Sequence, residues 1–421
     1  MSKAVFKGDI IHTIDKDSFT IHENSYIIVE DGIVKEILED LEESYKDYDL
    51  VDYSGKLIIP GFVDLHYHAP QYPNIGLGMD KELIPWLNTY TFPEEAKYSD
   101  LEYSEKVFKS LLNDVWKKGT TRSVVFSSVF KNSTELLMDM FIESGLGAYV
   151  GKVNMNRNSN EELTETTEES LRETEEIILE YKDKSDLVQP IITPRFIPTC
   201  TEELLTGLGE MANKYGIKVQ SHINENTSEI VWVQELHPDS ENYASVYDEY
   251  KLFGQTETIM AHCIHNKEEE SELMAEKGVY AAHCPFSNYN LSSGMMPARK
   301  YLDLGIKIGL GSDIAGGNTL SIPEVIVGAI QNSKMVWLYD DRKASPLTLS
   351  EAFYMATKGG GEFFGKVGSF EEGYEFDALV VEVEEEGLNL EEKIQKFIYN
   401  SQDRILDRYV RGNKIEKPYG I

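Results

Sequence analysis

Between residues 57 and 310 the chain repeats one pattern eight times: a short apolar or β-branched run, followed in most cases by an amphipathic stretch. The runs are 57–64, 121–126, 148–153, 188–194, 217–221, 258–261, 279–282 and 306–310. The stretches between them include 101–117, 133–143, 167–181, 202–214 and 267–277. Short apolar runs read as buried strands, and the longer amphipathic stretches read as helices. Strands alternating with helices imply a parallel sheet, and eight such units imply an α/β chain closed as a (β/α)8 TIM barrel. Asn132-Ser133 and Thr201, the latter followed by Glu203, are the expected helix starts.

The two ends differ from this middle and resemble each other. Residues 26–30 and 33–37 are strand-like and flank Asp31-Gly32, a two-residue hairpin signal. Residues 376–381 and 405–410 are strand-like as well. The expectation is a small composite β-sandwich-like domain from residues 1–57 and 367–421, with the catalytic barrel over 58–366. Acidic stretches at 39–49, 161–176 and 382–386 are expected to be solvated.

The ends of the apolar runs carry the chemistry. The first leads into His66-Tyr67-His68, the fourth into Pro194-Arg195-Phe196, and the fifth into His222-Ile223-Asn224-Glu225. The sixth ends in His262-Cys263, the seventh in His283-Cys284, and the eighth in Gly311-Ser312-Asp313. Barrel enzymes build their active sites at the C-terminal ends of the strands. In a strand, residues two apart share a face, so both imidazoles of His66 and His68 can point one way.

His66, His68 and His222 supply three nitrogens and Asp313 a carboxylate oxygen, which suits a catalytic metal with room for water. Such a set takes zinc, and iron(II) as an alternative. Glu225, three residues past His222, is placed to act as general base on a metal-activated water. His262 and His283 compete for the role of orienting that water and steadying a tetrahedral oxyanion. If both histidines face the pore, the adjacent Cys263 and Cys284 face the helices as buried, inert thiols. The Pro-Cys-x-x-Cys pair of the compact zinc deaminases is absent. Arg195 stands where a two-metal site would place a bridging lysine, and it cannot shed its proton, so one metal is expected.

Composition narrows the partners. A formal net charge of −33 disfavours nucleic acid and anionic membrane. No apolar run approaches a membrane span, and the first residues lack a signal-peptide core. Three widely spaced cysteines, Cys200, Cys263 and Cys284, fit a reducing cytoplasm.

Pro-Gly-Phe-Val-Asp-Leu-His-Tyr-His, Ser-His-Ile-Asn-Glu, Ala-His-Cys and Gly-Ser-Asp, in this order, resemble the amidohydrolase superfamily. Ala69-Pro70-Gln71-Tyr72 and the stretches 86–93, 166–170, 193–196, 242–248 and 309–317 are similar to its guanine deaminase family. The resemblance covers nearly the whole chain. It implies one Zn2+ per subunit, held by His66, His68, His222 and Asp313, and hydrolysis of guanine to xanthine and ammonia. It further implies a purine pocket lined by His68, Ala69, Pro70, Gln71, Arg195, Phe196, His222, Glu225 and Asp313, with Trp86 nearby. There Gln71 and Arg195 would hydrogen-bond the base and Phe196 would pack on it. Glu225, His262 and Asp313 would be the catalytic groups, and the enzyme would be a cytoplasmic homodimer. The rival readings are a pterin, triazine, cytosine or 8-oxoguanine deaminase of the same fold, and a catalytically silent barrel serving as a binding module.

Overall fold

The computed structural model describes residues 3–383, 387–400 and 404–420. Of the acidic stretch 382–386, residues 384–386 lie outside the described residues. All eight expected strands form, and all run parallel. Phe62–His68, Thr120–Phe126, Gly147–Gly151 and Val188–Pro190 make one arc in that order. Val219–Ile223, Thr258–His262, Tyr280–His283 and Ile308–Leu310 make the other.

The arcs join on both sides. A parallel bridge links Ile192 to Val219, and the amide of Gln220 donates to Ile192 O at 2.9 Å. Across the other seam the amide of Asp313 donates to His66 O at 2.8 Å, and that of His68 to Ile314 O at 3.0 Å. The result is the expected closed barrel. Val63, Leu65, Val124, Ile191, Ile259, Ala261, Tyr280 and Ala282 fill its interior. Phe363 packs with them, and its carbonyl accepts from Lys218 Nζ at the start of the fifth strand. The pore is therefore plugged away from the strand C-termini.

Amphipathic helices cover the outside, among them Leu101–Lys118, Lys131–Ser144, Thr167–Tyr181, Glu202–Tyr215 and Glu268–Lys277. Three of them start at side-chain caps, from Asp100, Thr166 and Thr201. Glycines in the left-handed conformation end several of them, as at Gly119 and Gly216.

Both termini build one seven-stranded sheet. Its order is Asn413–Lys414, Ile405–Val410, Ala378–Val381, Asp49–Pro60, Lys3–His12, Thr20–Glu30 and Ile33–Leu38. Asp31-Gly32 forms the expected hairpin turn, with φ of 52° and 80°. The apolar run 57–64, expected as a single strand, is two. Its first part ends the strand Asp49–Pro60 of the terminal sheet, and the barrel strand starts at Phe62. Gly61 separates the two, and a Cβ there would lie 2.3 Å from Thr121 Oγ1, so only glycine fits. The terminal sheet thus extends past the boundary expected at residue 57. Buried Arg122 ties the two parts together, donating to Asp377 Oδ2 at 2.6 Å and to Glu375 Oε2 at 2.5 Å.

Candidate active site

The first barrel strand does not alternate regularly. Val63 and Leu65 point into the pore, so an unbroken strand would turn His66 and His68 outward. Between Asp64 and Tyr67, however, the pairing with the second strand shifts register. Such a bulge reverses the facing of the residues beyond it and brings both imidazoles inward. The buried carboxylate of Asp64 braces it, accepting from the amides of His66 at 3.2 Å and Ser312 at 3.0 Å. At Gly311 a Cβ would meet Cys284 Sγ at 2.8 Å and His66 Cβ at 3.0 Å, so only glycine lets the eighth strand's end approach this closely.

His66, His68, His222 and Asp313 meet at one point above the plugged pore. His66 Nε2 is 3.2 Å from Asp313 Oδ1, and His68 Nε2 is 3.8 Å from the same oxygen. His68 Nε2 and His222 Nε2 lie 3.1 Å apart. His222 Nδ1 is 2.6 Å from Arg195 O. A carbonyl only accepts, so Nδ1 carries the proton and Nε2 keeps its lone pair for the cluster.

Burial lowers the pKa of His68 well below the usual imidazole value, and the neighbouring His222 and His66 lower it further. His222 is lowered in the same way by burial, His66 and His262. Burial alone would raise Asp313, but His66, His262 and His68 together hold it well below the usual carboxylate range. Neutral imidazoles with an ionised carboxylate are the protonation states that metal ligation requires. His66 Nε2, moreover, is buried without a hydrogen-bond partner among the described residues. An N3O donor set with such an orphaned nitrogen fits a divalent metal.

Glu225 and His262 stand beside this cluster. Glu225 Oε2 is 3.4 Å from His262 Nε2, and Ser293 Oγ donates to Glu225 Oε1 at 3.3 Å. Burial, helped by the charge of Asp313, pushes Glu225 up to about 8. His262 Nδ1 pairs with Asn288 Oδ1 at 2.9 Å, and His262 Nε2 is 3.8 Å from Asp313 Oδ2. Ile259 and Ala261 face the pore, so alternation would turn His262 outward. Positive φ values at His262 (73°) and Cys263 (49°) break that alternation, swinging the imidazole inward and leaving Cys263 in the outer core.

The seventh strand does not meet the condition on which the reading of its His-Cys pair rests. Tyr280, Ala282 and Cys284 face inward, so the thiol, not the imidazole, lies near His262 and Asp313. His283 is fully buried on the other face, with neither ring nitrogen hydrogen-bonded among the described residues. Burial and then His262 depress its pKa to about 3. All three cysteines are free and buried.

The cluster opens into a cleft walled by His68, Gln71, Trp86, Arg195, Phe196 and Leu291. Ala69 and Pro70, expected in its wall, are buried in the turn Ala69–Asn74 and do not line it, and neither does His283. Trp86 does, its indole Nε1 held by Leu77 O at 2.9 Å. Leu83 and Leu87 flank it, unforeseen from the sequence. Behind the wall lies a further unforeseen residue, Glu95. Its Oε1 accepts from Gln71 Nε2 at 2.9 Å and its Oε2 from Arg195 Nη1 at 2.6 Å. The Arg195 guanidinium also lies 5.2 Å over the ring of Phe92. The two acids of Phe92–Glu95, the helix after Trp86, were the available signal.

Comparisons with known proteins bear on this arrangement. The amidohydrolase family model matches residues 57–415. The guanine deaminase of Dictyostelium discoideum is 39% identical, covering 98% of each chain. The guanine deaminase of Homo sapiens is 38% identical over 86% of this chain and 84% of its own. A crystal structure of guanine deaminase from C. acetobutylicum with guanine bound in the active site is 53% identical, with a TM-score of 0.97 over 99% of this chain and all of that one. A triazine hydrolase variant at 17% identity and a TM-score of 0.86 shares the fold alone. The chain belongs to the amidohydrolase family, and within it to the guanine deaminases.

Proposed function

We infer that this chain hydrolyses guanine to xanthine and ammonia. One observation carries the reading: the His66, His68, His222 and Asp313 donor set opens, beside Glu225, into a cleft walled by Gln71, Arg195 and Phe196. The guanine bound in the active site of the C. acetobutylicum relative supports it.

His66, His68, His222 and Asp313 would hold a divalent metal, which would supply the Lewis acid that makes water a nucleophile near neutral pH. Zinc is the metal we propose, and the same donors also suit iron(II). Glu225 takes a proton from the attacking water and passes it to the ring nitrogen, and then carries the remaining hydroxyl proton of the tetrahedral adduct to the amine, which leaves as ammonia while the C=O forms. Its raised proton affinity suits both halves of that transfer. His262 faces Glu225 and Asp313 and steadies the negative charge that develops on the attacked carbon's oxygen.

The base is held by the donors and acceptors that Gln71 and Arg195 have left to offer. Gln71 Nε2 commits one N–H to Glu95, and its Oε1 commits one lone pair to the amide of Ala315 at 3.2 Å. One donor and one acceptor remain, with further N–H groups of Arg195, to match the edge of an amide-rich purine. Phe196 offers its face and is braced edge-on by Trp232 at 6.3 Å.

We also propose a cytoplasmic homodimer. Buried free thiols suit a reducing compartment, and no helix among the described residues is long and apolar enough to cross a membrane. The dimer rests on family likeness, and sedimentation equilibrium checks it. The activity is tested by incubating purified protein with guanine, adenine, cytosine and a pterin in separate reactions and measuring ammonia. Guanine is expected to give the dominant release. Release from another base and none from guanine would overturn the reading.

A further inference from the structure

Glu95 has no place in the chemistry described above, yet it is the acid that joins the two polar walls of the cleft. It is 3% exposed, and Arg195 is equally buried. A carboxylate taken out of water stays charged only beside a partner, and Arg195 Nη1 at 2.6 Å provides one. Its neighbour Glu94 is otherwise engaged, by Lys97 at 2.6 Å and by the hydroxyl of Tyr103. The remaining titratable groups around the pair are Tyr98 on the side of Glu95, and His68 and Glu225 on the side of Arg195.

This geometry acts on the pocket in two ways. Because Glu95 Oε1 takes a Gln71 N–H while the amide of Ala315 donates to Gln71 Oε1, the Gln71 amide has only one satisfied orientation. Because its other oxygen neutralises Arg195, the base pocket presents directed N–H groups with no net positive charge. A buried guanidinium without that carboxylate would instead recruit an anion. The distinction matters for this reaction, since guanine is neutral near pH 7 whereas xanthine ionises close to neutrality.

We propose that Glu95 is a positioning and specificity-determining residue: it cancels the charge of Arg195 and fixes Gln71, so the cleft takes a neutral purine base and does not retain the product as its anion. The proposal rests on the guanine deaminase reading of the site.

The test compares full-length wild type, Glu95→Gln, Glu95→Asp and Arg195→Ala. Guanine kinetics and inhibition by xanthine are measured from about pH 6 to about pH 9, a window in which xanthine passes from neutral base to anion. In wild type, inhibition weakens as xanthine ionises. In Glu95→Gln the unpaired guanidinium reverses the trend, and xanthine binds about tenfold more tightly than to wild type at the alkaline end. Glu95→Asp keeps the charge, so it keeps the wild-type pH trend and raises only the KM for guanine. Parallel inhibition profiles for wild type and Glu95→Gln overturn the proposal. If Glu95→Gln does not fold, Glu95→Asp carries the test, and an unchanged KM for guanine overturns it. Failure of the underlying reading looks different: guanine is then not turned over by wild type, or Arg195→Ala leaves its turnover unchanged.

Discussion

His222 donates its Nδ1–H to the main-chain carbonyl of Arg195 at 2.6 Å. One residue therefore aims an imidazole of the donor cluster through its backbone and faces the base pocket through its side chain. The two roles separate experimentally, because truncation to alanine keeps the carbonyl. Arg195→Ala is expected to retain wild-type metal content by elemental analysis while kcat/KM for guanine falls about a hundredfold. It also strands buried Glu95 without its partner, so unfolding stability drops by about 3 kcal/mol. Loss of metal together with activity would place the residue's importance in folding rather than recognition.

The two candidate histidines at the ends of the sixth and seventh strands also separate. His262 Nε2 reaches Glu225 and Asp313, whereas His283 is buried away from the cleft. His262→Asn should retain metal and lower kcat by about a hundredfold or more. His283→Asn, a smaller polar side chain, should leave kcat within about threefold and act on stability alone, since no bond of its ring is lost. Equal losses in kcat for the two variants would sink this division of roles.

How far the sequence could be read depended on how regular each strand end is. His222 lies in a strand whose inward face is unbroken and reaches the cluster as its strand position suggests, whereas Asp313 lies three residues past Leu310 on left-handed backbone (φ 47°). His66 and His68 share a face, but they reach the pore through a bulge whose existence depends on pairing with Thr120–Phe126, a strand distant in sequence. The inward turn of His262 depends on left-handed backbone at two non-glycine residues, which no local pattern announces. For His283-Cys284 the condition that the histidine faces inward is not met, because parity is set by Tyr280 and Ala282, which fill the pore. Ala69 and Pro70 were expected in the wall on the family resemblance, but a turn buries them. Glu95 was missed for a different reason. Its partners lie 24 and 100 residues away, and only the closed barrel brings the three together.

Glu225 offers the sharpest check on proton transfer. Substitution by glutamine keeps the shape and the Ser293 contact but removes the base. Glu225→Gln should lower kcat by about 10³-fold or more, with guanine binding by titration calorimetry changed by less than about threefold. Retention of metal in the variant separates this from a loss of ligation. A variant that still turns over within about tenfold of wild type would remove Glu225 from the role of base.

The base is itself held from behind by Glu229, and that arrangement has a pH signature. Glu229 Oε2 accepts from the amides of Glu225 at 3.0 Å and Asn226 at 3.2 Å, and its Oε1 from Tyr243 at 2.7 Å. Burial, then the charge of Glu225, raises its pKa from 4.5 to about 7. Between those values the unfolded chain has released the proton and the folded chain still holds it. Stability from this group is therefore full below about pH 4.5 and is lost as pH rises through about 7. The loss amounts to about 3 kcal/mol at most, since each tenfold change in proton affinity corresponds to about 1.4 kcal/mol. Glutamine cannot ionise, so Glu229→Gln removes the slope. Urea unfolding of the two proteins at about pH 5 and about pH 8 should show the variant gaining on wild type at the higher pH. Parallel stabilities at both would mean that Glu229 is already ionised in the folded protein, and that its three donors outweigh its burial.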